Sequence, residues 1–120
     1  MKYSPKYYNN LKKRYSKIAQ GFDQFASECS MAGPLDKKTQ KLVKLGVAVG
    51  IGSEGDVQNL TIQALEDGVR PDEIRHAVLL SATTAGFPGM IVAMQWVEDI
   101  ITTQKKQVVS SLTKSDCPGN

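Results

Sequence analysis

From Tyr8 to Cys29 apolar residues return at alternating intervals of three and four: Tyr8, Leu11, Tyr15, Ile18, Phe22, Phe25 and Cys29. That spacing lays a continuous stripe along one face of a helix, and a strand, whose side chains alternate with period two, cannot use it. A stripe this long and this aromatic is more than a lone helix can leave in water, so it must meet other helices, in its own subunit or a neighbour's. No stretch elsewhere alternates convincingly with period two. The expectation is an all-α fold, a single-domain bundle of about five to six helices.

The stripe shares its helix with cations. Lys2, Lys6, Lys12, Lys13, Arg14 and Lys17 all precede the first acid, Asp23, and all four tyrosines lie in the same region. Basic residues interleaved with aromatics can bind nucleic acid, with ammonium groups on phosphates and rings on bases. Packing is preferred here, because the seam uses up the aromatics and leaves the lysines solvated behind it. A nucleic-acid partner is therefore not expected.

Local punctuation divides the rest. Ser4-Pro5 opens the first helix and Gly33-Pro34 stops it. Asp36 caps a second, with Leu35 placed to pack back as a staple and Leu42, Leu45 and Val49 on one face. Gly46 and Gly50, four apart in that helix, suggest the close approach of another backbone. Ser53 and Asp56 fit a capping box at the start of a third helix, in which hydroxyl and carboxylate each satisfy a free backbone N–H; Val57, Leu60, Ala64 and Leu65 form its stripe and Gly68 ends it. Pro71, with Asp72 and Glu73 in its first turn, starts a fourth helix reaching Ala85. A fifth runs from about Met90 to Gln104, with Trp96, Met90 and Met94 as core, and a polar, frayed tail follows. The expected organisation is an amphipathic helix over 1–33, a helical core over 34–106 and a tail over 107–120.

At 120 residues and net charge +3, the chain has no apolar run long enough to span a membrane. No apolar leader follows Met1, so the cytoplasm is the expected compartment. Cys29 and Cys117 are too far apart in sequence for a redox pair, a zinc site or a disulfide framework, and both read as free thiols. No cofactor or metal is expected.

Chemistry, if any, is expected at the polar start of the stretch Gly52 to Gly68. It offers Ser53, Glu54 and Asp56, with Leu60 following on the same helical face. His76, the only histidine, is the remaining acid–base candidate; beside Arg75 and off the apolar stripe, it reads more simply as a solvated or interface residue.

The segments Leu35 to Leu42, Ala64 to Ile74, Ala85-Gly86-Phe87-Pro88 and Ala93-Met94, in that order and spacing, resemble the carboxymuconolactone decarboxylase family, which includes the alkylhydroperoxidase D proteins. The likeness spans about Leu35 to Ile100. It implies helical subunits interlocked with their neighbours as a homo-oligomer, commonly a dimer, trimer or hexamer. In the peroxidase branch the motif is Cys-x-x-Cys-x-x-x-His with a glutamate on the preceding helix; those positions here hold Ser53, Asp56, Leu60 and Lys41. Without a thiolate to attack peroxide and a second thiol to resolve it, thiol peroxidase chemistry is not expected. The decarboxylase branch lacks the cysteine pair and has acids around the same turn. By that likeness Glu54 and Asp56 are the candidate acid–base groups and Lys41 or Lys44 would hold a substrate carboxylate, although leucine stands where the family's histidine would be. The resemblance thus leaves two readings: a non-catalytic or divergent relative binding a small molecule or partner, and a lyase acting on a small carboxylated lactone or keto acid.

Overall fold

The structure, a computed structural model, describes residues 5–115, and among them the chain is all helix with no strand. The helices are α1 (Pro5–Arg14), α2 (Ser16–Met31), α3 (Lys37–Ile51), α4 (Glu54–Glu66), α5 (Pro71–Leu80), α6 (Ala82–Ala85) and α7 (Phe87–Ser115). The five expected segments are seven because the first and the fourth are each broken in two.

The first break falls at Tyr15, with φ −131° and ψ 60°. In a continuous helix Tyr8 and Asp23 would stand about 22 Å apart at 1.5 Å per residue. Instead the Tyr8 hydroxyl donates to Asp23 Oδ1 at 3.1 Å, so α1 folds back along α2 as a hairpin. Lys12 lies over the Tyr8 ring, 4.7 Å from its centre. The signal for this end was in the sequence. Lys12, Lys13 and Arg14 crowd the last turn of α1, where the helix dipole favours positive charge.

The second break is at Ser81, whose hydroxyl donates to the Val78 carbonyl, while the Thr83 hydroxyl donates to Leu80. Hydroxyls that bond to carbonyls one turn back compete with the helical ladder and bend it. The last helix departs from expectation at both ends. It starts at Phe87 and stays helical through Ser115, past Gln104 and through the polar residues expected to fray. Residues 116–120, with Cys117, lie outside the described residues.

The core is built by α3, α4, α5 and α7. Leu45, Val57, Ala64, Ile74, Val78, Ala93 and Val97 are buried within it, with Met90 beside them, and Leu42, Leu60, Met94 and Trp96 pack against its edge. Thr61 is the buried polar residue of α4, and its hydroxyl is satisfied by the Val57 carbonyl at 2.7 Å. Arg75 on α5 ties to α7 by a two-pronged ion pair with Glu98, at 2.5 and 3.2 Å, and reaches Asp72 at 3.3 Å. Glu98 and Asp72 hold the guanidinium's pKa above its ordinary value, the Glu98 hydrogen bonds most of all.

The α1–α2 hairpin is an arm. It is joined to the core through Gln40 of α3, whose amide donates to the Ser30 and Leu35 carbonyls while accepting from the Ser30 hydroxyl. Among its described residues Ala19 alone is a buried apolar, and the seam from Tyr15 to Phe25 lies exposed. Apart from Tyr8, where α1 folds onto α2, and Cys29, which borders a hollow against α3, the seam is not covered by other helices among the described residues.

Gly46 and Gly50 find no close approach of another backbone within the described chain. A Cβ built on either would meet nothing within 4 Å beyond its own helix, so no backbone of another helix among the described residues approaches them.

Candidate functional site

The turn between α3 and α4 is two residues long and does two jobs. Gly52 adopts φ 68°, a left-handed conformation that glycine takes without strain. Its N–H donates to the Val49 carbonyl at 3.1 Å and the next N–H, of Ser53, donates to Ala48 at 3.1 Å. Those two bonds satisfy carbonyls left open at the end of α3. The same Ser53 then caps α4, its Oγ accepting from the Asp56 N–H at 3.4 Å.

The reciprocal half of the expected capping box is different. The Asp56 carboxylate does not take the Ser53 backbone N–H, which is already spent on Ala48; it accepts the Ser53 hydroxyl proton, Oγ to Oδ2, at 2.9 Å. Ser53 is buried and Asp56 half-buried. Both side chains are thus bound to each other and to the helix start.

The other candidates are placed elsewhere. Glu54 is exposed in the first turn of α4, where a negative charge suits the helix dipole. Lys41 is half-buried on α3, and its ammonium donates to the side-chain oxygen of Gln63 at 2.7 Å. Gln63 lies seven residues beyond Asp56, about two turns further along α4. Lys44 is exposed and lines a hollow with Cys29, an exposed free thiol, and Val43. Leu60 packs against the core edge on the same helix. The contact between Lys41 and Gln63 was not foreseen, because it depends on how α3 crosses α4.

His76 is exposed on α5 and borders a groove between α3 and α5. Leu42, Val43, Ala77 and Leu80 give the groove its apolar lining, and Thr39, Glu73 and His76 its polar one. Glu73 is engaged in capping: its carboxylate accepts the Arg70 N–H at 3.0 Å, which holds its pKa below the ordinary value. The fold therefore brings Ser53 and Asp56 together and puts Lys41 and His76 in other surroundings. Among the described residues no three of His, Cys, Asp and Glu are grouped to hold a metal, and no helix is long and apolar enough to cross a membrane.

The sequence model of the carboxymuconolactone decarboxylase family matches residues 17–99, well over half of the chain. The chain belongs to that family. Comparison with curated proteins and with solved structures gives no match. The region matched to the carboxymuconolactone decarboxylase model takes in nearly all of α2, the whole of α3 to α6 and the first part of α7, including the α3–α4 turn and the Lys41–Gln63 contact. The break at Tyr15 lies just before it.

Proposed function

We propose that this chain is a non-catalytic carboxymuconolactone decarboxylase family member, one that keeps the helical scaffold and works by binding a small molecule or a partner. The observation that carries this reading is the bond between Ser53 and Asp56. A nucleophile or proton carrier must be able to approach a substrate, and these two side chains are instead spent on each other and on the start of α4. Leu60 has no proton to give. Glu54 is exposed at the surface of α4 rather than enclosed with a reacting partner, and Lys41 is held by a neutral amide.

The test assays purified protein against a panel of carboxylated lactones and keto acids, and against peroxide with a thiol reductant. The expected result is no turnover with any of them, with binding sought in parallel by calorimetry on the same panel. Turnover that falls on replacing Lys41 by Ala or Asp56 by Asn would overturn the reading in favour of a lyase.

A further inference from the structure

The bend between α1 and α2 gathers cations. Lys12, Lys13 and Arg14 close α1 and Lys17 lies in the first turn of α2, so the fold at Tyr15 brings all four to the end of the arm, about 22 Å along α2 from its attachment at Ser30. All four are exposed. No ion pair among the described residues engages Lys13, Arg14 or Lys17. Because α2 starts without a side-chain cap and without an acid in its first turn, its own N–H groups add positive potential at the same end. From Pro5 to Met31 five cations stand against two acids, a net +3 equal to that of the whole chain, and the rest of the sequence balances.

Apolar side chains stand among these cations. Leu11, Tyr15 and Ile18 are 40%, 51% and 64% exposed, and Leu11 and Tyr15 line an open hollow with Asn10, Lys13 and Arg14. Cations beside exposed aliphatic and tyrosine side chains match the surface of an anionic bilayer, where the charged groups reach phosphates and the apolar ones enter the acyl boundary. A nucleic-acid strand would use them less well, because it is held by stacking on successive rings, and here Tyr15 stands beside aliphatic Leu11 and Ile18. Charge also sets the orientation. After Lys17 no cation follows until Lys37, and Asp23 and Glu28 lie between, so an anionic surface attracts the bend and repels the remainder of α2.

We propose that the bend of the arm docks end-on upon an anionic lipid surface, with Lys12, Lys13, Arg14 and Lys17 on the headgroup phosphates and Leu11, Tyr15 and Ile18 at the acyl boundary. Such a contact lies on a membrane and needs no helix that crosses one. Phe25, about 10 Å beyond Ile18 along α2, takes no part in it. The docking does not depend on whether the chain is catalytic or on what its core binds.

Flotation of the full chain with vesicles tests it, using phosphatidylcholine alone and phosphatidylcholine with about one-third phosphatidylserine. Wild type should float with the anionic vesicles only, and should come off them at about 1 M salt, where the screening length falls to about 3 Å. Each Lys or Arg beside such a surface strengthens partitioning about fivefold, so a chain carrying Lys13→Ala, Arg14→Ala and Lys17→Ala together should bind about 100-fold more weakly. Ile18→Ser should lose about tenfold, and Phe25→Ser should float as wild type does. All of these side chains are exposed, so circular dichroism should report the same helical content for each variant. Wild type that floats with neither vesicle, or equally with both, overturns the proposal, and so does a triple variant that floats as well as wild type. A loss in Phe25→Ser equal to that in Ile18→Ser lays α2 flat on the surface and overturns the end-on docking. Wild type that binds a single-stranded oligonucleotide and ignores the anionic vesicles overturns it in favour of nucleic acid.

Discussion

Replacing Ser53 by Ala separates the structural role of this residue from a chemical one. The substitution removes the acceptor for the Asp56 N–H and the hydroxyl that donates to Asp56 Oδ2 at 2.9 Å. Loss of an N-cap oxygen costs about 1 kcal/mol, and loss of a hydrogen bond to a charged group costs about 1.5 kcal/mol or more. Asp56 is half-buried, so water recovers part of the second contribution, and about 2 kcal/mol is expected in all. Unfolding entropy near 2.1 cal/mol/K per residue gives about 0.25 kcal/mol/K for this chain, so Tm should fall by about 8 °C. Thermal unfolding followed by circular dichroism reads this directly, at one fixed protein concentration so that any self-association contributes equally to both proteins. Ser53→Asn, which keeps an oxygen for the cap, should lose less than half as much. A Tm for Ser53→Ala within about 1 °C of wild type would refute the capping argument, since no smaller side-chain effect fits the contacts seen.

Two further predictions concern charge. In a double-mutant cycle on Arg75→Ala and Glu98→Ala, the coupling energy measured by chemical denaturation should be about 0.5–1 kcal/mol, the upper range for a solvent-accessible pair, because the contact is two-pronged; zero coupling would mean that it does not tie α5 to α7. The Asp36 carboxyl is held below its ordinary pKa by Thr39, through its side chain and then its backbone N–H. A group whose folded pKa is depressed stabilises the fold above its unfolded pKa and loses that contribution as pH falls through the folded one. Stability should therefore drop below about pH 4, and Asp36→Asn, which keeps the cap oxygen but cannot titrate, should make that acid limb shallower. Urea midpoints across the acid range check the slope; identical limbs would refute the assignment.

What the sequence discloses here is the chemistry that acts over a single turn. Asp36 caps α3, receiving the Thr39 N–H at 2.8 Å, as its position before the helix requires. Gly68, with φ 87°, ends α4 while Val69 returns its N–H to Ala64, and Pro71 opens α5. Features that depend on how helices cross were not legible. Nothing local to Lys41 names Gln63 as its partner, and nothing in Arg75 names Glu98 across 23 positions. The break at Tyr15 was half visible, in three cations closing α1, but it carries neither glycine nor proline, so periodicity alone ran straight through it. At the candidate site the pairing of Ser53 with Asp56 was readable, yet not its hydrogen-bond pattern, because that follows from Ser53 having already given its N–H to the helix before.

The turn at Gly52 and Ser53 also bears on how readily such a chain changes its trade. Where one residue closes one helix and opens the next, folding and reactivity compete for the same atom. A thiol installed at Ser53 would bring a nucleophile but a poor oxygen-replacing acceptor, loosening the joint on which α3 and α4 depend. The local gain in reactivity would arrive together with a loss of stability, and a marginally stable protein tolerates few such losses. At this joint a gain of thiol chemistry would therefore carry a stability cost that the rest of the fold has to absorb.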